Sequence, residues 1–385
     1  MIRTLLYLLI FILFFACNNQ DTKSLIIANT QDSLFEKVHL TYAKGFEIAK
    51  RKDITIIKVK NPWQSADNIV YQYVLADSSI VIPSELKQYT IIRTPIKRVV
   101  CLSTTHLAFI DCISVNKTVV GVSGSDFVYN DYFRKQIDQK KIIDVGYDQN
   151  LNYELVLSLK PDLVIAYGVG GEISGYMNKL KDLGINVVIN AEYLEENALA
   201  KAEWIKFIAA FYNQSEKADS LFNDIASQYN DLLKIVKQKK STPIVMTGLP
   251  WKGSWYVPGG NSYLSHLISD AGGTYLFKDN DSRQSIPLTL ENVFSKAQNA
   301  DIWINSDQAK SINDILNIDE RLAKLKILKS KEIYNNNARL NRFGGNDYWE
   351  SGIVNPHIIL KDMIKIFHPF LMKEHEFVYY KKIEN

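Results

Sequence analysis

The sequence predicts an α/β protein with two lobes, each built on a central, mainly parallel sheet, and one long rigid α-helix that joins them. Three observations lead to this prediction. Short apolar segments alternate with helix-like segments in both halves of the chain, as they do in parallel sheets that are covered by helices. Between these halves, residues 195–240 contain neither glycine nor proline. A small unit of sequence also occurs once in each half.

The unit that occurs twice reads Glu-x-Val-x-Ser, and in both copies an aspartate then opens a short apolar run. The first copy begins at Glu154 and reaches Asp162, and the second begins at Glu291 and reaches Asp301 after two extra residues. Each copy is typical of a short helix followed by a buried strand. We therefore predict two equivalent Rossmann-like lobes, in which each glutamate opens the helix before an equivalent strand.

Residues 1–17 are predicted to be a lipoprotein signal peptide. Arg3 gives a positive start, and the apolar run "LLYLLIFILFFA" is too short to span a membrane as a stable helix. The run ends in "FFAC", which resembles the lipobox of bacterial lipoproteins, so Cys17 would carry the lipid and residues 18–36 would form a polar tether. A plain signal peptide or a transmembrane anchor is the alternative. The lipid would hold the protein to the inner or the outer membrane, facing the periplasm.

Composition limits the classes of partner. The net charge is only +3 over 385 residues and no run of five basic residues occurs, so nothing favours binding to nucleic acid. Within the fold, Cys101 falls in a predicted strand and Cys112 in the predicted helix after it. An exported compartment permits a disulfide, but these positions favour two separate buried thiols. The chain has no Cys-x-x-Cys pair, so a structural zinc or redox site is not supported.

The first lobe is predicted to comprise residues 37–194. Its opening part, up to about Val81, is rich in β-forming residues and would add strands to this lobe. From Arg98 onward, apolar runs such as "RVVCLS", "TVVGVS" and "PDLVIAYG" alternate with helix-like segments such as "TTHLAFIDCISV" and "GYMNKLKDLG". Short apolar strands separated by helices predict a parallel sheet.

Residues 195–240 are predicted to form the long helix between the lobes. Apolar residues recur through them at helical spacing, and "NQS" at residues 213–215 is a point where the helix can be capped or kinked. A coiled coil is disfavoured because the spacing is not sustained as heptads. The alternation of strands and helices resumes in residues 241–385, which are predicted to form the second lobe.

The motifs of common enzymes do not occur. The stretch "YGVGGEISG" has Ile173 where a dinucleotide-binding Gly-x-Gly-x-x-Gly would need its last glycine. There is no phosphate-binding GxxxxGK[ST] loop and no GxSxG nucleophile turn, and the histidines are scattered without a close pair. We therefore predict neither an enzyme, nor a protein-held metal ion, nor an intrinsic cofactor.

A ligand-binding cleft fits the sequence better. Ligands of open parallel sheets bind beyond the carboxyl ends of the strands, and the loops predicted there are rich in glycine, aromatic residues and arginine. Exposed aromatic side chains in such loops indicate a binding surface, although packing of the loops on the lobes would account for part of them. The candidate ligand contacts are Thr105, His106, Ser125, Asp126, Tyr129, Tyr167, Trp251, Trp255, Tyr256, Arg283, Arg342, Tyr348 and Trp349. We expect at least two of Trp251, Trp255, Arg342 and Trp349 to contact the ligand.

The lipobox, the two α/β lobes, the long helix and the paired glutamates together resemble the class III substrate-binding proteins of ABC importers. Those proteins bind ferric siderophores, haem and cobalamin. The resemblance covers roughly residues 97–371, and its most specific pieces are "KRVVCLSTTHLAFIDCI", "VVGVS", "YELVLSLKPDLVIAY", "NSYLSHLISDAGG" and "LENVFSKAQNADIWI". The segment before Arg98 is longer than in the simplest members, and the end of the chain resembles an iron-complex branch found in Bacteroidetes-like sequences.

The resemblance implies a monomer that captures a metal chelate between its lobes and delivers it to a permease dimer with its ATPase. The chelate would be an iron complex, either a siderophore or haem, and a corrinoid is the alternative. Glu154 and Glu291 match the positions at which family members meet arginines of the permease. Two glutamates that only stabilise their own helices are the alternative. A sensor or structural lipoprotein that keeps the fold without transport is a further alternative, and an enzyme with a cleft of unknown chemistry is a third.

The resemblance also raises the question of an axial ligand for haem iron. His106, with Tyr129 or Tyr167, would supply it. A hydrogen-bonded histidine in a loop is the interpretation that we favour for His106.

Overall fold

The computed structural model describes residues 34–147 and 150–384. The predicted signal peptide, Cys17 and residues 18–33 of the tether lie outside the described residues. Among the residues that are described, no helix is both long enough and apolar enough to cross a membrane. The chain divides into two compact units, Met1–Glu36 and Lys37–Asn385. Apart from a two-residue strand, β1 (Glu36–Lys37), the elements below belong to the second unit.

Residues 46–93 contribute four strands to a sheet that is separate from the parallel sheets of the lobes. They are β2 (Phe46–Arg51), β3 (Ile54–Lys60), β4 (Val70–Ala76) and β5 (Thr90–Arg93). The first three pair antiparallel in chain order, and β5 pairs parallel with β4. The prediction of added strands is confirmed, but these strands do not extend the parallel sheet of the first lobe.

This added sheet packs against the segment between the lobes. The ring of Phe46 in β2 lies 4.6 Å from that of Trp204, measured between centroids. The carboxylates of Glu195 and Glu203, both buried, accept hydrogen bonds from the backbone N–H groups of residues 41–45. Because a buried carboxylate is stable only when hydrogen-bond donors surround it, these bonds hold the added sheet against the connecting segment.

The first lobe is a five-stranded parallel sheet with helices between its strands. Its strands are β6 (Val99–Cys101), β7 (Val119–Val122), β8 (Ile143–Asp144), β9 (Leu163–Ala166) and β10 (Val187–Ile189), and its helices are α1 (Thr104–Cys112), α2 (Asp131–Asp138), α3 (Tyr153–Ser158) and α4 (Ile173–Asp182). The strand order is β10-β9-β6-β7-β8. Cys101 is buried in β6, Cys112 ends α1, and both are free thiols. The prediction of a buried thiol is confirmed for Cys101 but not for Cys112, which is only partly buried.

The connecting segment is three helices, so the prediction of one helix over residues 195–240 is wrong. The helices are α5 (Ala198–Glu203), α6 (Ile205–Ala210) and α7 (Ser215–Val236). Asn213, with a backbone φ of +57°, breaks the helix between α6 and α7, and asparagine tolerates this left-handed conformation better than most residues. The predicted kink at "NQS" is therefore a full break. With 22 residues, α7 alone is about 33 Å long.

The second lobe repeats the architecture of the first. Its elements are β11 (Ile244–Thr247), β12 (Pro250–Trp251), β13 (Ser254–Val257), α8 (Tyr263–Asp270), β14 (Thr274–Tyr275), β15 (Ile286–Thr289), α9 (Leu290–Ala297), β16 (Ile302–Ile304), α10 (Ile312–Ile318), α11 (Ile327–Ser330), β17 (Ile333–Asn335), α12 (Pro356–Phe367) and β18 (Lys381–Lys382). Its main sheet has the order β14-β11-β16-β17-β18, parallel except for β18. The strands β12, β13 and β15 form a small antiparallel sheet.

The repeated unit occupies the same place in both lobes. Asp162 comes directly before β9, and its carboxylate accepts hydrogen bonds from the N–H groups of residues 97 and 98, just before β6. Asp301 comes directly before β16 and accepts in the same way from the N–H of Ile244, the first residue of β11. In each lobe the aspartate thus ties the start of its own strand to the start of the neighbouring one. The predicted equivalence of the two units is confirmed.

Candidate functional site

A cavity of about 400 Å³ lies between the two lobes, within the range of ~300–1,000 Å³ that is typical of small-molecule sites. The two parallel sheets determine where it is. Five of its lining residues each follow directly on the last residue of a strand, namely Leu102 after β6, Ser123 after β7, Tyr167 after β9, Asn305 after β16 and Asn336 after β17. The cavity therefore lies beyond the carboxyl ends of the strands, where the sequence predicts the ligand cleft.

Exposed aromatic side chains form part of the cavity wall. Phe127 is 54% exposed, Tyr147 is 45% exposed and Trp349 is 59% exposed. The rings of Phe127 and Tyr147 lie 5.8 Å apart, and the ring of Trp349 rests edge-on against the buried Tyr348 at 4.7 Å. Because large aromatics are costly to leave in water, their convergence on one cavity indicates a surface that stacks on a flat or apolar part of a ligand.

The polar part of the lining consists of amides and hydroxyls with one carboxylate, Asp307. The amides are Asn305, Gln308, Asn336, Asn337 and Asn346, and the hydroxyls are Ser103, Thr104 and Ser123. Buried Asn335 holds the segment that carries Asp307 and Gln308 in place, because its Nδ2 donates to the carbonyls of Asp307 and Ala309 at 3.0 and 2.9 Å. Each amide offers both donors and an acceptor, so the lining can pair with amide and hydroxyl groups of a ligand.

Two loops join the lobes at the edge of the cavity. From the second lobe, Asn341 Nδ2 donates to the carbonyls of Asp126 and Val128 of the first, both at 2.8 Å. The backbones approach so closely that a Cβ on Gly345 would lie 2.5 Å from the carbonyl oxygen of Phe127. We call the joined segments, residues 126–130 and 341–350, the lobe contact.

A buried carboxylate completes the lobe contact. Glu350 is 1% exposed, and it accepts hydrogen bonds from the N–H groups of Tyr129 and Asn130 at 2.7 and 2.8 Å. Burial raises the pKa of Glu350 to about 7, with a further contribution from the nearby carboxylates of Asp347 and Asp111. This acid therefore changes its charge near neutral pH at the junction of the lobes.

Of the predicted ligand contacts, Tyr167 and Trp349 line the cavity. Thr105 lies in the first turn of α1, next to the lining residues Ser103 and Thr104. Ser125, Asp126 and Tyr129 lie in the first-lobe loop that carries Phe127, and the backbones of Asp126 and Tyr129 take part in the lobe contact.

Three predicted contacts are buried in the protein, and for them the prediction is wrong. His106 is inside α1 and not in a loop, and burial lowers its pKa to about 3. Since its ring is fully buried, it cannot reach a haem iron in the cavity. Trp255 is buried in β13 with its Nε1 donating to the carbonyl of Thr247. Tyr348 is also buried, and it packs against the ring of Trp349, which lines the cavity.

The remaining four predicted contacts do not line the cavity. Trp251 and Tyr256 are exposed on the small antiparallel sheet, with ring centroids 6.4 Å apart. Arg283 forms an ion pair with Glu196, and Arg342 forms one with Asp138. Of the four residues from which at least two contacts were expected, only Trp349 is at the cavity.

Sequence reasoning missed Phe127, Tyr147 and the asparagines of the second lobe. Phe127 falls in "GSDFVYND", and Asn336, Asn337 and Asn346 fall in "NNNARLNRFGGND", while Asn305 ends the apolar run "ADIWIN". A usable signal was the residue directly after each predicted strand. The asparagines were missed because the candidate contacts were chosen mainly among charged and aromatic side chains.

Glu154 and Glu291 are exposed second residues of equivalent helices, α3 and α9. Each helix is capped by the residue before it, since Asn152 accepts from the N–H of Leu155 and Thr289 accepts from that of Asn292. The glutamate side chains are therefore not needed as caps. They remain available at equivalent points of the two lobes.

No group of three or more histidine, cysteine, aspartate or glutamate side chains is arranged to hold a metal ion within residues 34–147 and 150–384.

Comparison with known proteins adds to this geometry. A family model described as periplasmic binding protein matches residues 99–340. An uncharacterized lipoprotein of Methanocaldococcus jannaschii is 28% identical over 332 residues, which is 82% of this chain and 77% of that protein. A vitamin B12-binding protein of Salmonella typhi is 31% identical over 186 residues, which is 47% of this chain and 63% of that protein.

Among solved structures, the periplasmic haem-binding protein of Roseiflexus sp. RS-1 in its apo form superposes with a TM-score of 0.55 and 21% identity. It covers 71% of this chain, and this chain covers 99% of it. At this identity the likeness shows a common fold. The residues that the family model matches include the whole first parallel sheet and β11, β14, β16 and β17 of the second.

Proposed function

We propose that this chain, which belongs to the periplasmic binding protein family, captures a metal chelate between its lobes and delivers it to an ABC importer. Members of the family are substrate-binding proteins of ABC transporters and not enzymes. The observation that carries the proposal is the cavity at the carboxyl ends of both parallel sheets. Its exposed aromatic wall and its set of amides give it the surface of a binding site.

The proposed ligand is an iron complex, either a ferric siderophore or haem, with a corrinoid as the alternative. All three present a flat or apolar face for Phe127, Tyr147 and Trp349 and polar groups for the amides. A relative named for binding vitamin B12 and a structural neighbour named for binding haem support a chelate of this kind. All of the metal ligands would come from the chelator.

The proposed delivery uses one acidic contact on each lobe. Glu154 and Glu291 would bind cationic side chains of the two halves of a permease, which works with its ATPase. The equivalence of α3 and α9 supports this role, because a protein with two like lobes can match a transporter with two like subunits. The protein would act as a monomer, held to the membrane by a lipid on Cys17.

Tryptophan fluorescence tests the proposed binding. Trp349 lies at the cavity, so a bound chelate that absorbs in the near ultraviolet or visible range should quench its emission. The purified protein should be titrated with haem, cyanocobalamin and a set of ferric siderophores. Saturable quenching by one of these classes supports the proposal. If no member of the panel binds, the protein is not a carrier of metal chelates.

A further inference from the structure

The described part of the cavity lining carries no positive side chain. Among the described residues that border it there is no lysine, arginine or histidine, and its one formal charge is the carboxylate of Asp307. Every other polar lining side chain is an amide or a hydroxyl, including the phenol of Tyr167 and Tyr147. A ligand in this cavity would therefore be recognised by uncharged hydrogen-bonding groups.

The arginines of the surrounding loops are already paired with carboxylates of the protein. Arg339 lies 2.7 Å from Asp347, and Arg342 lies 3.4 Å from Asp138 of the other lobe. The guanidinium of Arg342 also lies 4.6 Å from the ring centroid of Phe343. Because these cations are matched by acids, they would have to break existing ion pairs to serve an anionic ligand.

The cavity would disfavour a ligand with free carboxylates. A carboxylate taken out of water needs donors or a cation to replace its hydration, and Asp307 adds repulsion between like charges. The carboxylate of Asp307 accepts a hydrogen bond from the backbone of Leu249, which fixes this negative charge at the cavity.

We infer that the cavity selects chelates whose outer groups are amides or hydroxyls and whose net charge is zero or positive, and that it discriminates against chelates with free carboxylates. This inference rests on the proposed function and narrows its ligand. Among the proposed classes it favours corrinoids with intact amide arms and neutral or cationic hydroxamate siderophores. It disfavours haem, with its two propionates, and ferric citrate.

Matched pairs of chelates test the charge selection directly. One pair is cyanocobalamin and the monocarboxylic acid made by hydrolysing one of its amide arms. The other is ferrioxamine B carrying an N-acetyl or an N-succinyl group, which differ by one carboxylate. Haem and ferric citrate complete the set. For whichever scaffold binds, the uncharged member should bind at least about tenfold more tightly than the acid.

The variant Asp307→Asn provides the internal control. Asparagine keeps an oxygen for the Leu249 hydrogen bond and tolerates the φ of +46° at this position. The variant should reduce the difference in affinity between the two members of a pair, because it should strengthen binding of the acid more than binding of the uncharged form. Its unfolding midpoint, measured in parallel, reports whether the variant is folded.

The outcomes separate the inference from the proposed function. If the acid of a pair binds as tightly as its uncharged partner, or if only haem or ferric citrate binds, the charge selection is wrong and the carrier function stands. If Asp307→Asn leaves the difference in affinity between the acid and its uncharged partner unchanged, Asp307 is not the source of the discrimination and that part of the inference is wrong. If no chelate binds, the proposed function fails and the inference fails with it.

Discussion

Glu350 of the second lobe accepts a hydrogen bond from the backbone N–H of Tyr129 of the first lobe at 2.7 Å. These residues are neighbours of the cavity wall, since Trp349 precedes Glu350 and Phe127 comes two residues before Tyr129. The lobe contact therefore fixes the spacing between aromatic side chains on opposite sides of the cavity. We expect its hydrogen bonds to influence ligand affinity as well as stability.

Glu350 should make stability depend on pH. Its pKa is raised from 4.5 to about 7 in the folded protein, so between these values the folded state binds a proton that the unfolded chain has released. The contribution is fully present below about pH 4.5 and is lost as the pH rises through 7, with a slope of up to about 1.4 kcal/mol per pH unit. Denaturant unfolding at pH 5, 6, 7 and 8 measures it.

Glu350→Gln is the matched variant for this measurement, because glutamine keeps one acceptor and does not titrate. The free energy of unfolding of the wild type should fall relative to that of the variant as the pH rises from 5 to 7, and the difference should be constant above 8. The nearby acids Asp347 and Asp111 are common to both proteins. Parallel profiles would show that Glu350 has an ordinary pKa.

Asn341 should couple the two lobes. Asn341→Asp keeps the Oδ1 oxygen that accepts from the N–H groups of Phe343 and Gly345 within its own loop, and it removes both donations to the first lobe. With about 0.5–1.5 kcal/mol for each hydrogen bond, the variant should unfold about 1–3 kcal/mol more easily and should bind ligand several-fold more weakly. Unchanged affinity in a destabilised variant would make the lobe contact purely structural.

Trp349 should be a ligand contact and Trp251 should not. The two side chains are almost equally exposed, at 59% and 60%, but only Trp349 lines the cavity. A stacking or cation–π contact of about 0.5–2 kcal/mol predicts that Trp349→Ala weakens binding several-fold to about thirtyfold. Trp251→Ala is the control and should keep the wild-type affinity in the same titration. Equal losses in both variants would place the ligand elsewhere.

Cys17 should be the site of lipid attachment. The prediction rests on "FFAC" after a short apolar run, and the residue lies outside the described part of the chain. In Cys17→Ala, detergent-phase partitioning of the mature protein should be lost and the protein should move to the aqueous phase. A variant that still partitions with detergent through a retained apolar helix would contradict the lipoprotein prediction.

The sequence was most informative where two levels of pattern agreed. The units at Glu154 and Glu291 combine a helix start, a buried valine and an aspartate before an apolar strand, and both lobes place them as predicted. The alternation of apolar strands with helices also predicted which strand ends border the cavity. These features depend on local periodicity and on the general geometry of parallel sheets, which a single sequence carries.

Other features depended on contacts between distant residues. Nothing local marks Glu195 and Glu203 as acceptors for residues 41–45, so the separate added sheet was not predicted. Trp255 looked like a loop residue because glycines surround its short strand, yet cross-strand pairing buries it. Asn213 showed that the helix could be interrupted, but only the packing of α6 and α7 decides between a kink and a break.

Uptake through the partner importer tests the central claim most directly. Ligand binding and uptake should be measured together for Glu154→Ala, Glu291→Ala and the double variant, with Glu216→Ala as control, since Glu216 is also an exposed acid in the first turn of a helix. Close charge pairs at interfaces couple by roughly 1.5–7 kcal/mol. The account predicts wild-type ligand affinity in all variants, reduced uptake in each single variant, no uptake in the double variant and normal uptake in the control. Full uptake by the double variant would contradict it.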